Sequence, residues 1–361
     1  MEECGSIPLL GYGEFSEWLH QRVGNQRVPI SGSLEVTLRC NLRCQHCYIP
    51  GESRARRKDN ELSLAEIERI LDEVADAGCL WMLLTGGEPL MRRDFLDIYA
   101  YARRKGLILT LFTNGTLVTR RIADYLADWR PFNIEISLYG ATQETYERIT
   151  GIPGSYARCR RGIDLLLERN LPLSLKTVVM TLNHLELDQM KSLAASMGVQ
   201  FRFDPIINPA LDGSDRPARL RLTPEEIVAL EKADQDRATR WPEHFQKNPV
   251  IPNSARRMYL CGAGKQAFHI DAAGRLCLCI SARQPSYDLR SGSFQEGWEQ
   301  FLLQVIDRLY SDSFECLGCE LRPLCAQCPA AAELELGNPE KRVEFLCQVA
   351  KLRRDVFASR K

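Results

Sequence analysis

The sequence predicts an α/β protein: a parallel sheet, open or curled into part of a barrel, followed by a cysteine-rich region. Three observations predict it. From about residue 31, apolar runs of strand length alternate with charge-rich amphipathic stretches, repeated about six times. At 361 residues the chain suits one large domain plus a smaller one. Its 14 cysteines gather at two places, with only Cys79 and Cys159 between Tyr48 and Leu260. The divisions read from this are an N-terminal extension (1–30), a strand–helix region (31–215), a linker (216–258) and a cysteine-rich region (259–361).

The extension is short and glycine-bearing, with one helix expected around Phe15 to His20. Strands are expected at 33–37, 81–85, 107–113, 132–138, 173–180 and 200–203, each an apolar run bounded by turn residues. Between them lie amphipathic stretches at 63–77, 94–105, 122–128 and 156–168. The first carries Leu64, Ile67, Leu71 and Val74 at helical spacing, and Ser63 with Glu66 forms a capping box at its start. Past Asn208 the rhythm fails: prolines, a glycine and charges predict a loop. Thr223 and Pro224 then begin a helix, as cap and first helical residue. Residues 236–258 are polar and proline-punctuated and read as linker.

Composition excludes several classes. Lys plus Arg is 47 and Asp plus Glu is 47, so no net field draws the chain to nucleic acid or to an anionic membrane. No apolar run approaches the roughly 18 residues of a membrane span. Met1, Glu2 and Glu3 open an acidic N-terminus without the basic-then-apolar order of a signal peptide. Disulfide scaffolds are short and secreted, so metal ligation is the better expectation for clustered cysteines here, in a reducing cytoplasm. Cys4, Cys79 and Cys159 stand alone and read as packing residues or unremarkable thiols.

Cys40, Cys44 and Cys47 form C-x3-C-x2-C within eight residues. Three thiolates fall short of the four ligands of a structural zinc. They suit a [4Fe–4S] cluster that keeps one iron open to a small ligand. This pattern resembles that of the radical S-adenosylmethionine (radical SAM) enzymes. Gly86-Gly87-Glu88-Pro89, after the second expected strand, matches the family's G-G-E-P run, and Tyr48 stands where the family carries an aromatic residue against the adenine. The resemblance implies a partial (β/α)6 TIM-like barrel whose lateral mouth admits a large substrate. It implies that the open iron chelates the methionine end of SAM and that reductive cleavage yields a 5′-deoxyadenosyl radical. It assigns Gly86, Gly87, Glu88 and Pro89 to the methionine amino group and Ser137 to the ribose or carboxylate. Asn114 ends the third strand, and Lys176 on the fifth is placed to pair with the cofactor carboxylate; for both, a plain polar strand end is an equal reading.

In the C-terminal region twelve residues separate Cys261 from Gly274, and four separate Gly274 from Cys279. Then come Cys316-x2-Cys319-x5-Cys325-x2-Cys328 and Cys347. The order is similar to the SPASM extension of radical SAM enzymes, which implies two auxiliary clusters. By that resemblance Cys316, Cys319, Cys325 and Cys347 hold the outer cluster, and Cys261, Cys279 and Cys328 the inner one. Two departures stand out: a penultimate spacing of x2 in place of x3, and an additional Cys277. The inner cluster's fourth ligand stays open between Cys277, another side chain, water and substrate. A pair of zinc sites is the bland alternative.

The resemblance favours a ribosomally made peptide as substrate, crosslinked, epimerised or oxidised. The alternatives are a carbohydrate or aminocyclitol, a sulfatase, or a zinc-stabilised interaction module without catalysis. About 30 residues precede the first expected strand, too few for a leader-gripping winged helix, so a separate small leader-binding protein is expected, together with an external electron donor. Arg202 and Asp204 are expected to line the cavity or to close the barrel as a pair, and His46 to fill its loop. No residue stands out as a general acid or base.

Overall fold

The computed structural model describes residues 11–24, 26–51, 60–247 and 256–358. Helix α1 (Tyr12–Val23) is longer than the helix expected around Phe15 to His20. Strand β1 (Ser31–Thr37) then enters the sheet, and five strand–helix units follow its direction. They comprise α2 (Leu64–Asp76), β2 (Trp81–Gly86), α3 (Phe95–Arg104), β3 (Ile108–Thr113), α4 (Arg120–Asp128), β4 (Asn133–Ser137), α5 (Gln143–Thr150), α6 (Ser155–Leu167), β5 (Leu173–Val178), α7 (Leu187–Ser196) and β6 (Gln200–Asp204). All six expected strands are present within a few residues of their expected bounds. Helix α5 is not among the expected elements; it is eight residues long and carries only Tyr146 and Ile149 as large apolar residues.

Local chemistry explains the helix starts. The Ser63 amide donates to Glu66 Oε2 at 2.7 Å and the Glu66 amide to Ser63 Oγ at 3.3 Å, which completes the capping box of α2. Such a cap contributes about 1 kcal/mol. Ile67, Ile70, Leu71 and Val74 are fully buried against the sheet, each worth about 1.5–3 kcal/mol.

The sheet does not close. Its order is β6-β5-β4-β3-β2-β1-β7-β8-β9, with β1 to β6 parallel neighbours in sequence order. Strand β7 (Ala267–Ile270), from the cysteine-rich region, lies parallel to β1, pairing Ser31 with Ala267 and Leu34 with Ile270. Strands β8 (Arg275–Cys277) and β9 (Tyr287–Asp288) add antiparallel beyond it. One apolar core runs from Leu34 and Leu84 through to Phe268, Leu276 and Trp298.

Where sequence polarity predicts linker, the structure has helix. After α8 (Pro224–Ala233), capped by Thr223 as expected, α9 spans Gln235–Lys247 with Pro242 inside it. Proline costs one backbone bond there. Tertiary packing offsets that cost: Arg237 lies 4.3 Å over the Phe203 ring, and Arg353 lies 4.2 Å over Trp241. The linker expectation for 236–247 is therefore corrected; residues 248–255 lie outside the described ones. The C-terminal region adds α10 (Pro329–Leu336) and α11 (Glu344–Arg353). Among the described residues no helix is long and apolar enough to cross a membrane.

Candidate functional site

The C-terminal ends of β1 to β5 open on a cavity of about 360 Å3. In parallel α/β sheets ligands gather at this end. Cys40, Cys44 and Cys47, from the loop after β1, line it together with Tyr48. Two backbone bonds dock that loop on the end of α5: Arg43 N–H to Thr150 O at 2.8 Å and Gln45 N–H to Ile149 O at 3.0 Å. His46, expected as a loop filler, packs its ring edge-on against Tyr139 at 4.4 Å and also faces the cavity.

Gly86 and Gly87 form the neighbouring wall. Their lack of side chains is a steric requirement: a Cβ on Gly86 would collide with the Thr37 carbonyl, and one on Gly87 with those of Leu38 and Arg39. The close approach lets Gly87 N–H donate to Thr37 O and Glu88 N–H to Arg39 O, both at 2.8 Å. The two glycines thus lock the β2 loop to the cysteine loop. Glu88 and Pro89 stand behind this wall and do not line the cavity. Glu88 is completely buried and accepts from Thr113 Oγ1 and the Asn114 amide, each at 2.7 Å, and from the Leu90 amide at 3.1 Å. Burial pushes its carboxyl up to about 6, against the pull of these bonds.

Asn114 lines the cavity at the end of β3. Its Nδ2 donates to Asn41 Oδ1 at 2.9 Å and lies 3.9 Å from Cys40 Sγ, which also receives the Leu42 amide at 3.4 Å. Donors of this kind orient a thiolate and tune what it ligates. Ser137 and Lys176, from β4 and β5, complete the polar part of the lining. Lys176 Nζ is 2.9 Å from Glu135 Oε1 and sits above the Phe112 ring. Burial brings its ammonium down to about 8 despite Glu135. Arg202 binds the same Glu135, Nε to Oε2 at 2.6 Å, while Asp204 caps its own turn at Ile206. Arg202 and Asp204 therefore form no pair and do not line this cavity.

A buried network behind Tyr48 is not legible from the sequence. Glu35, on β1 and fully buried, accepts from the Tyr48 hydroxyl at 3.2 Å and from both terminal nitrogens of Arg283 at 2.8 and 2.6 Å. Nε2 of the fully buried His269 lies 3.8 Å from Glu35, and its Nδ1 is 2.8 Å from Ser33 Oγ. Burial alone would raise the Glu35 carboxyl; His269 and Arg283 instead hold it at about 2. Burial beside that carboxylate keeps the Tyr48 hydroxyl well above its ordinary value, so it remains a donor.

The C-terminal cysteines fall into two neighbourhoods. Cys316 feels Cys319, Cys325 and Cys347, and burial pushes its thiol up to about 11. Cys328 feels Cys279 and Cys261. These are the sets implied for the outer and inner clusters. Cys277 ends β8, fully buried, with its sulfur 3.5 Å from Arg275 O and 3.6 Å from Arg283 O, whereas Cys279 lies beyond a bend. Among the described residues no three His, Cys, Asp or Glu side chains converge as around a single metal ion. The donors of the 40–47 loop are soft sulfurs sharing one wall with N–H donors behind them, a set that fits an iron–sulfur cluster.

A family model described as the radical SAM superfamily matches residues 34–195. The PqqA peptide cyclase of Rhodopseudomonas palustris is 30% identical over 263 residues, covering 71% of this chain and 68% of that one. The chain belongs to the radical SAM superfamily. Two further relatives of this radical SAM enzyme match over more of its length. The AdoMet-dependent heme synthase of Methanosarcina barkeri is 28% identical over 329 residues, covering 84% of this chain and 92% of that one. The mycofactocin maturase MftC of Mycobacterium tuberculosis is 28% identical over 320 residues, covering 86% and 81%. Among solved structures, Streptococcus suis SuiB bound to precursor peptide SuiA superposes with a TM-score of 0.70 at 17% identity, over 96% of this chain and 84% of that one. That likeness establishes the fold: a partial, unclosed barrel of radical SAM type. Membership implies a [4Fe–4S] cluster and SAM.

Proposed function

We propose that this enzyme binds its cluster through Cys40, Cys44 and Cys47, cleaves SAM reductively and modifies a ribosomally made peptide. The observation that carries it is the shared lining of one cavity by these three thiols, Tyr48 and the Gly86–Gly87 backbone. When bound and reduced, the cluster supplies the electron that splits the sulfonium of SAM and frees a 5′-deoxyadenosyl radical. The chain's own work is placement. Tyr48 offers a ring for the adenine, Asn114 fixes the Cys40 side, and Ser137 and Lys176 offer a hydroxyl and an ammonium to the ribose and carboxylate. Buried Leu42 within the loop and Ile49 just after it add apolar surface to the lining.

A peptide substrate is supported by the relative that is a PqqA peptide cyclase and by the precursor peptide bound in the SuiB structure. It is also supported by room: a second cavity of about 930 Å3 shares Leu211, Ser281 and Leu334 with the first and continues it toward the C-terminal region. Cys316, Cys319, Cys325 and Cys347 would hold an outer auxiliary cluster, and Cys261, Cys279 and Cys328 an inner one, in a reducing cytoplasm with an external electron donor. A tetrapyrrole substrate is the second reading, favoured by the coverage of the heme synthase relative.

Anaerobic reconstitution tests the first part. Three clusters correspond to about twelve iron atoms per chain, and dithionite with SAM should yield 5′-deoxyadenosine. A colourless, zinc-loaded protein that leaves SAM intact would end the assignment. Deuterated candidate peptides and deuterated tetrapyrroles, assayed side by side, separate the two substrate classes by which one transfers deuterium into 5′-deoxyadenosine.

A further inference from the structure

The network behind Tyr48 joins two parts of the chain 248 residues apart. Arg283 shapes its own turn, donating from Nε to Ile280 O at 3.0 Å, and grips both oxygens of Glu35 with its other nitrogens. The same turn holds Cys279, whose sulfur accepts the Ala282 amide at 3.3 Å. Ile280 and Ser281 within it line the cavity, as does Tyr48 on the other side of Glu35. Neither Glu35 nor Arg283 lines it, although Arg283 lines the larger cavity that continues it. They act through the two walls that they connect.

We propose that Glu35 and Arg283 are positioning residues that fasten the turn after Cys279 to the Tyr48 platform, so that the C-terminal region sets the affinity of the cavity for SAM. This rests on the reading of that cavity as the SAM site. Geometry favours it over a simple fold staple. A bidentate fork fixes orientation as well as distance. The Tyr48 hydroxyl bonds the same Glu35 oxygen as one Arg283 nitrogen, so turn and ring share one anchor. His269, bonded to Ser33 and facing the other Glu35 oxygen, completes the enclosure from β7. The molecule also holds a control: Arg353 and Glu231 form a bidentate pair, 2.8 and 2.7 Å, buried more deeply than Arg283 and Glu35 and outside the cavity lining.

The experiment uses reconstituted holoprotein and measures SAM affinity by equilibrium dialysis, iron content, thermal midpoint and the change in cluster EPR signal on adding SAM. Glu35→Gln and Arg283→Met should each weaken SAM binding about tenfold at unchanged iron content, and Tyr48→Phe about threefold. In the double variant Glu35→Gln/Arg283→Met the thermal midpoint should recover, because no buried charge is left unpaired, while SAM affinity stays low. Arg353→Met should lower the midpoint and leave SAM affinity unchanged. Arg283→Lys, which keeps the charge and loses the fork, should fall between wild type and Arg283→Met, and it serves if Glu35→Gln does not fold. If the cavity variants lose only stability, as Arg353→Met does, the proposal is overturned. If wild type itself binds no SAM, the reading of the cavity fails instead.

Discussion

The two cysteine regions reach their geometry by opposite routes. The three thiols near the N-terminus lie in one eight-residue loop, held by backbone bonds to α5 and wedged against the β2 turn by two glycines. The seven C-terminal ones that form two neighbourhoods are spread from Cys261 to Cys347, across strands, turns and helix ends. A loop prescribed by a regular sheet can be read from local sequence. A site assembled from distant segments depends on the whole region folding first. The first should therefore fail through local chemistry, and the second through loss of assembly.

Three results would break or sharpen that contrast. The largest effect is expected from the thiols themselves. Replacing Cys40, Cys44 and Cys47 together by Ala should reduce 5′-deoxyadenosine to the protein-free background. Cys316→Ala or Cys347→Ala should retain uncoupled SAM cleavage and stop product formation, as chromatography of both nucleoside and product would reveal. Equal loss in both sets would erase the distinction. Next, Gly87→Ala should cost about 1–3 kcal/mol and weaken SAM binding, since two carbonyls occupy the space of the new methyl. A normal melting curve would refute the wedge.

The smallest effect concerns pH. Glu88 holds its proton up to about 6 in the folded state, against 4.5 as its ordinary value, because burial penalises the charge. The folded protein binds more protons than the unfolded between those values. Stability should therefore fall as pH rises through 4.5 to 6, by about 2 kcal/mol in all. Glu88→Gln should flatten that slope in denaturant melts; an unchanged slope would assign it elsewhere.

Much of this was legible in the sequence because periodicity and local motifs suffice for it. Alternating strands and helices foretold the parallel sheet, and capping residues foretold where α2 and α8 begin. The helix at Gln235–Lys247 was not legible, since its anchors, Trp241 on Arg353 and Arg237 on Phe203, are tertiary. In the site, the cysteine loop, Tyr48, Gly86, Gly87, Asn114, Ser137 and Lys176 converge on one cavity. Spacing alone did not reveal that Glu88 would turn away from it. Nothing local singles out Glu35 on its strand, and its partner Arg283 lies 248 residues away.

Strand β1 has parallel neighbours on both sides, β2 from its own half of the chain and β7 from the far end. Cutting the gene between the halves would leave the strand before the cysteine loop with a bare row of amides and carbonyls, a template for sticking to other copies. Fragments meant to isolate the half that carries Cys40, Cys44 and Cys47 should thus precipitate, and co-expression of the missing piece should restore their solubility.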